Sequence, residues 1–394
     1  MRITYSIILI LATVLINGCT EAYDLKIDSI EEALVVEATI SNELKFHEIK
    51  LSKATSLEVE EIVAESNATI EVKDEAQNSY SFTETSPGIY TSNIQFSAKI
   101  NSNYQLFIKT ANGDTYESNL TKTTSDSKIE DLTVTLGENS ENNTVFQLNV
   151  SSFDPNGQSN YYRYTYEETY KIVAPYWSPF DIILNPGIEI VPRTVQNQIC
   201  YQTYGSNDII QTETTGLTED RVSGLTIRKI PVTDYKVSHR YSILVKQYVQ
   251  SFEAYTFYKL LNKFSNASDV LSQSQPGFFE GNIKAVSEPS KKVIGFFEIA
   301  SVSSKRMFFD YKDFFTDGTP NTPEPCGLSA PSAISESLGE PIPLFEYIDS
   351  GDYKFYGYNN TPSETLPGPY LLVPNGCGDC TVYGTNVKPN FWID

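Results

Sequence analysis

Between Leu34 and about Thr123 the chain breaks every few residues into short runs in which apolar and polar side chains alternate, and that period of two leaves little choice of architecture. The runs LVVEATIS, HEIKLSKA, ATIEVKD, SYSFTET, GIYTS, NYQLFIKT and DTYESNL are parted by Asp74, Asn78, Pro87-Gly88, Asn101-Ser102-Asn103 and Asn112-Gly113-Asp114. Those separators favour turns over strands. Ile70 and Val72 alternate with Thr69, Glu71 and Lys73, which puts one face of that strand in a core and the other in water. Asn112-Gly113 lies between two alternating runs, and both residues tolerate the positive φ that a tight hairpin requires. Short strands at this spacing predict an immunoglobulin-like β-sandwich over residues 30–124, without the cysteine pair of antibody domains.

The polar run KTTSDSKIED, residues 122–131, marks a domain boundary, and a length of 394 residues suits two domains. Strand signals resume in IEDLTVTL, TVFQLNVSS and NYYRYTYEETYKIV, and later in LTIRKIPV, HRYSILVKQYVQ, GNIKAV, KVIGFFEIASVSS and RMFFDY. The segment 173–216 between them reads as loop. One stretch has a helical period: in SFEAYTFYKLLNKFSN, residues 251–266, Phe252, Tyr255, Tyr258, Leu261 and Phe264 recur at three-residue steps behind Ser251, a capping residue. Past RMFFDY, Pro and Gly become frequent. The expected fold is therefore mainly β: the sandwich, then a larger β-rich domain over residues 125–394 with at least one packed helix and a disulfide-bearing, loop-rich tail.

The first 18 residues have the form of a secretory signal, with Arg2, the apolar run Ile7 to Ile16, then Asn17 and Gly18. That apolar run is far shorter than the roughly 20 residues needed to span a bilayer. It stops at Cys19, and Ile16-Asn17-Gly18-Cys19 resembles the bacterial lipobox. The resemblance implies diacylglycerol on the Cys19 thiol, an N-acyl chain on the new terminus, and a tether over residues 19–29. At about 0.8 kcal/mol per buried CH₂, several acyl chains hold where one would be marginal.

Cys200, Cys326, Cys377 and Cys380 then form an even set in an exported chain, which favours disulfides and leaves three pairings open. Cys377-Gly-Asp-Cys380 has CxxC spacing, yet it lies among loop and strand-like residues near the C-terminus and does not open a helix in a βαβ unit, as a thioredoxin-like site would. A zinc site would need two more ligands, and His47 and His239 are the only histidines.

Charge and motifs narrow the function classes. A net charge of −21 removes the basic surface that nucleic acid requires. GxSxG, HExxH, P-loop and dinucleotide glycine patterns are all missing, and both histidines read as surface or packing residues. Asp154-Pro155-Asn156-Gly157 reads as a turn, because it lacks the later bidentate Glu of a calcium loop. Tyr162, Tyr164 and Tyr166 share one strand face, opposite Tyr161, Arg163, Thr165 and Glu167; sheet packing accounts for that ladder better than a sugar-stacking platform does. No catalytic residue, metal or cofactor other than the lipid is expected.

Taken in order, LVVEATI, TETSPGIYTS, NYYRYTYEETY, YSILVKQYVQSFEAYTFYKLL, QPGFFEGNIKAVSEPSKKVIGFFEIASVSSKR and CGDCTVYGTNVKPNFW are similar to a family of Bacteroidota lipoproteins known as domain of unknown function 4249. The resemblance implies an outer-membrane lipoprotein, often encoded beside TonB-dependent transporters, with Cys19 as the lipid site, the late cysteines as a family feature and no established activity. Glu21 and Asp24 behind the lipid cysteine favour the cell-surface face. The functional expectation is a non-enzymatic binding or accessory subunit of a TonB-dependent nutrient transporter, taking a peptide or glycan ligand. A structural or adhesive envelope lipoprotein is the alternative, and a carboxylate-based hydrolase of surface polymers stands behind it.

Overall fold

The computed structural model describes residues 33–54, 63–265, 281–316, 321–335 and 340–394. The alternating runs become β1 (Ala33–Ser41), β2 (Glu48–Ala54), the two-residue β3 (Val63–Ala64), β4 (Thr69–Asp74), β5 (Ser79–Ser86), β6 (Ile89–Ser92), β7 (Asn103–Lys109), β8 (Thr115–Ser118) and β9 (Thr121–Lys122). Their inward residues, among them Val36, Ile49, Ile70, Val72, Leu106 and Ile108, meet in one core. Period two thus acts as expected: each apolar residue turns to the same side.

The second half continues with β10 (Lys128–Glu138), β11 (Thr144–Phe153), β12 (Tyr161–Val173), β13 (Phe180–Leu184), β14 (Ile188–Pro192), β15 (Ile199–Gly205), β16 (Ile210–Glu213), β17 (Arg221–Pro231) and β18 (Arg240–Val249). Helix α1 (Phe252–Ser265), β19 (Ile283–Ala285) and β20 (Val293–Asp310) follow, then α2 (Pro343–Ser350), β21 (Tyr353–Tyr358), β22 (Tyr370–Pro374) and the single turn α3 (Asn375–Gly378). The segment 173–216, read as loop, carries four strands, and the tail carries a helix and a hairpin. Their small core is Ile182, Leu344, Phe355 and Leu372, too dispersed in sequence to show a period.

β20 organises the whole. KVIGFFEIASVSS and RMFFDY read as separate strands, but they form one strand of 18 residues. Its first half pairs in parallel with β1, from Leu34↔Val293 to Ser41↔Ala300. Its second half pairs antiparallel with β18, from Val249↔Ser301 to Arg240↔Asp310. The hydrogen-bonded order runs β15-β12-β18-β20-β1-β2-β6-β5-β4-β7-β8-β19. Residues 283–300 therefore complete the N-terminal sheet from beyond position 124.

That sheet is one continuous path, so its hydrogen bonding does not single out the two separate layers of an immunoglobulin-like sandwich. It curls until its far end returns to β20. Asn282 makes the closure: its Oδ1 accepts from the Phe297 N–H at 2.7 Å and its Nδ2 donates to the Phe297 carbonyl at 2.8 Å. A side-chain amide here satisfies backbone groups that a missing strand would leave bare.

Both faces of β20 are covered along its first half, which explains the nearly unbroken apolar run from Val293 to Ala300. Phe297 and Ile299 face the N-terminal core, whereas Phe296 packs on Ala254 and Phe257 of α1. Gly295 sits where β1 presses closest; a Cβ there would lie 2.3 Å from the Val36 carbonyl oxygen. Helix α1 starts as read, with the Ala254 N–H donating to Ser251 Oγ at 3.1 Å. Its buried face differs in part from expectation. Tyr255 is buried, and the partly buried Tyr258 and Leu261 pack on the Phe296 cluster, as expected, but Phe252 is 60% exposed and Ala254 and Phe257 are buried, because a helix turns through less than a full turn in three residues and the stripe drifts around it.

In the second half, the sheet β15-β12-β18-β20 faces the three-stranded sheet β10-β11-β17 across a core that includes Phe146, Leu148, Tyr162, Tyr164 and Ile243. The Tyr ladder belongs to this core, and its hydroxyls find partners there. Tyr162 donates to Asp220 Oδ1 at 2.6 Å, and Tyr164 to Gln247 Oε1 at 3.0 Å.

His47 is buried in the N-terminal half, its Nε2 2.9 Å from the Phe96 carbonyl and its Nδ1 without a partner. Burial pushes its pKa down to about 4. The unfolded chain therefore takes up this proton first as pH falls, and the stability tied to neutral His47 is lost between about pH 6.5 and pH 4, up to about 3 kcal/mol. Urea unfolding across that window should show His47→Gln losing less stability than the parent protein; parallel losses would contradict the assignment.

Candidate functional site

The candidate site is an aromatic cleft at the free edge of the second half. β15 ends the sheet order, and the tail approaches it from outside. Tyr201 and Thr385 exchange backbone hydrogen bonds of 2.8 and 2.9 Å, and one residue earlier Cys200 is bonded to Cys380. Gly384 permits the approach, since a Cβ there would stand 2.6 Å from the Tyr201 carbonyl oxygen. The tail then turns away, because the Tyr383 N–H donates to the Cys380 carbonyl at 3.0 Å and is no longer available to β15. Between the diverging segments opens a cavity of about 640 Å³.

Tyr204, Tyr235 and Tyr383 supply its aromatic walls. The Tyr204 ring stacks on buried Tyr170 with centroids 6.2 Å apart, and Tyr235 meets Tyr170 edge-on at 5.8 Å. Tyr383 lies 6.5 Å from Tyr235. Short capped turns set two of these rings. Asp234 accepts from the Lys236 N–H at 3.0 Å, and Asp379 accepts from the Thr381 N–H at 2.9 Å. Such caps fix side chains that no helix or strand would hold.

The electrostatics are neutral at the surface and charged beneath it. Glu168 is buried and accepts from Arg228 Nε at 3.0 Å and from the Tyr241 hydroxyl at 2.6 Å. Lys236 turns its ammonium inward, 3.6 Å from Glu168, with the Tyr204 ring centroid 5.7 Å away. Burial and a hydrogen bond to Glu324 push the Tyr383 phenol up to about 12, so it stays protonated at neutral pH. The cleft thus offers ring faces and hydroxyls with one half-exposed ring, Tyr204, a surface suited to reversible stacking and hydrogen bonding.

The residues singled out from sequence fall as follows. Cys19 and the leader lie outside the described residues. The two halves of the CxxC motif go to different partners, Cys380 to Cys200 and Cys377 to Cys326, and the first of these bonds fastens the cleft. His47 and His239 sit in different halves and form no joint site. Burial lowers the His239 pKa beside Arg240, which is bound to Asp310. Asp154 spends its oxygens on the N–H groups of Asn156, Gln158 and Ser159, which confirms a turn. Among the described residues no group of three or more His, Cys, Asp or Glu is placed to hold a metal, and no helix is long and apolar enough to cross a membrane. Tyr204, Tyr235 and Tyr383 escaped sequence reading: they belong to three distant segments and share no motif.

A second cavity, about 740 Å³, lies under α1 where the two halves meet. Its central ion pair is closed, although Arg163 Nε is buried without a hydrogen-bond partner among the described residues. Arg163 reaches Glu298 at 2.6 Å between the rings of Tyr248 and Tyr258, and Glu298 also accepts from Thr39 and Gln250. That network reads as a fastener of helix to sheet.

Residues 20–306 match the family model described as Domain of unknown function (DUF4249). No curated protein matches the chain. Among solved structures, a DUF4785 family protein of Legionella pneumophila is 7% identical, with 56% of this chain and 50% of that one covered and a TM-score of 0.14. Trypsin-activated alpha-2-macroglobulin of Escherichia coli is 8% identical, with 57% and 15% covered and a TM-score of 0.17. The chain thus spans half or less of each structure's length, and at those scores neither likeness carries an argument.

The crosslinks close loops of different size, 180 residues for Cys200–Cys380 and 51 for Cys326–Cys377. Loop-closure entropy makes the longer one worth more by about 1 kcal/mol, from a base of roughly 3–4 kcal/mol. Denaturant unfolding of the paired serine variants should rank them in that order. Near-ultraviolet circular dichroism should change more in Cys200→Ser with Cys380→Ser, since Tyr204 and Tyr383 lose their fixed relation; an unchanged spectrum would contradict the cleft's dependence on that bond.

Proposed function

The chain belongs to the DUF4249 family, and on that footing we propose that it is an outer-membrane lipoprotein, anchored through Cys19 and facing the cell surface, that serves as a non-enzymatic binding or accessory subunit of a TonB-dependent nutrient transporter. The observation that carries the binding role is the aromatic cleft, a preformed surface of rings and hydroxyls held by a disulfide and a backbone bridge. Preorganisation of that kind lowers the ordering cost of binding. Its neutral lining suits a peptide or glycan better than a charged metabolite.

Placement supports the same reading. β1 starts at Ala33, next after the tether, and runs to Ser41, beside which β20 passes into the second half. At about 3.3 Å per residue the N-terminal sheet stands roughly 30 Å tall. With Cys19 as the anchor, this sheet would stand between the bilayer and the body that carries the cleft, and a ligand there would be presented away from the membrane.

Purification of the native lipid-anchored protein from its own outer membrane in mild detergent should recover a TonB-dependent transporter in stoichiometric amount, identified by mass spectrometry. Recovery of the protein alone would remove the transporter assignment.

A further inference from the structure

The open edge of β15 continues into the cleft, and this specifies a ligand class. We propose that the cleft binds an extended peptide as an added β-strand on β15; the inference rests on the binding role above and names its ligand. In an antiparallel ladder, residues alternate between turning their N–H and C=O toward one neighbour and toward the other. Tyr201 turns its pair outward and spends it on Thr385. Thr203 and Gly205 follow in the same phase, so their backbone groups also face outward, at the exposed end of the strand. Among the described residues, no strand lies beyond β15, and the tail has already turned away at Tyr383.

The chain itself shows what this edge accepts. Thr385 is seated on it as a fragment of antiparallel strand, and a peptide lying beside Thr203 to Gly205 would extend the ladder that the Tyr201–Thr385 pair begins. Thr203 and Gly205 repeat their outward groups at a two-residue spacing, which a peptide backbone matches and a glycan does not. Alternate side chains of the guest would reach Tyr204, Tyr235 and Tyr383, where aromatic or aliphatic groups would stack. No charged side chain lines the cleft, and the protein carries a net −21 charge, so the fitting guest is neutral or basic.

The test uses the full-length lipoprotein in detergent, offered a tryptic digest of casein and, separately, maltoheptaose and cellohexaose. Retained peptides are identified by mass spectrometry, and the tightest is resynthesised with backbone N-methyl groups at every second residue, in each of the two registers. Methylation of the edge-facing amides should weaken binding by roughly 100-fold, and methylation of the opposite set by less than about threefold. Amide exchange at Thr203 and Gly205 should slow on binding, and Thr203→Pro, which removes one edge donor, should abolish retention. Equal sensitivity in both registers, or no retained peptide, overturns the strand-addition proposal. An oligosaccharide that binds and is released by Tyr204→Ala would overturn the peptide class while leaving the cleft as a binding site; if neither class binds, the binding role falls with it.

Discussion

The parallel pairing of β20 with β1 is the contact on which the remaining architecture depends. Leu34 meets Val293 across most of the chain's length, so the N-terminal sheet stays open until residues that follow β10 to β18 in the chain have been placed. Contacts of such sequence separation carry a large loop-closure cost and form slowly. Their return is that one strand belongs to two sheets. Phe297 and Ile299 fill the first core, and Phe309, farther along the same strand, fills the second. The Arg163–Glu298 pair crosses the outer face of this junction, tying β12 to β20, with Thr39 of β1 and Gln250 as further donors to the carboxylate. Removing one partner of such a pair would strand the other's charge in a poorly solvated place, at a cost of about 3–5 kcal/mol.

Much of this was legible in the sequence, for a physical reason. Strands with one wet face announce themselves by alternation, and β1, β2, β4 to β8, β11 and β12 lie where their runs place them. What stayed hidden was pairing. Nothing local in KVIGFFEIASVSS says that its first half lies parallel to LVVEATIS, and the polar Ser301 to Arg306 stretch made one strand look like two. β3 and β9, of two residues each, are too short to show a period. The tail's hairpin and helix are built from aromatic and Pro-rich text that resembles loop. The four late cysteines pointed to disulfides, but only the fold chose among the pairings. The cleft's three tyrosines are among 26 in the chain. No sequence signal leads to them, because the Cys200–Cys380 bond that brings β15 beside the 381–385 segment was one of several pairings the sequence left open.

The cleft also spans a boundary in the chain. β15 and Tyr235 lie within residues 20–306, which match the family model, whereas Cys380, Tyr383 and Thr385 lie beyond it. One wall therefore comes from the matched region and the other from the C-terminal tail, and the Cys200–Cys380 bond joins the two. A tail that replaced Tyr383 or shifted Gly384 would change the lining without disturbing either core, since loops vary more freely than the elements they border.

Because β20 belongs to both cores, the two halves should unfold as one cooperative body. Native-state amide hydrogen exchange along that strand at low denaturant reads this cooperativity. The amides of Phe296 and Glu298, whose N–H groups face β1, and those of Met307 and Phe309, whose N–H groups face β18, should open with one common free energy and one common denaturant dependence. Opening of either half at a free energy lower by about 2 kcal/mol or more would show two bodies joined by a strand, and would contradict it.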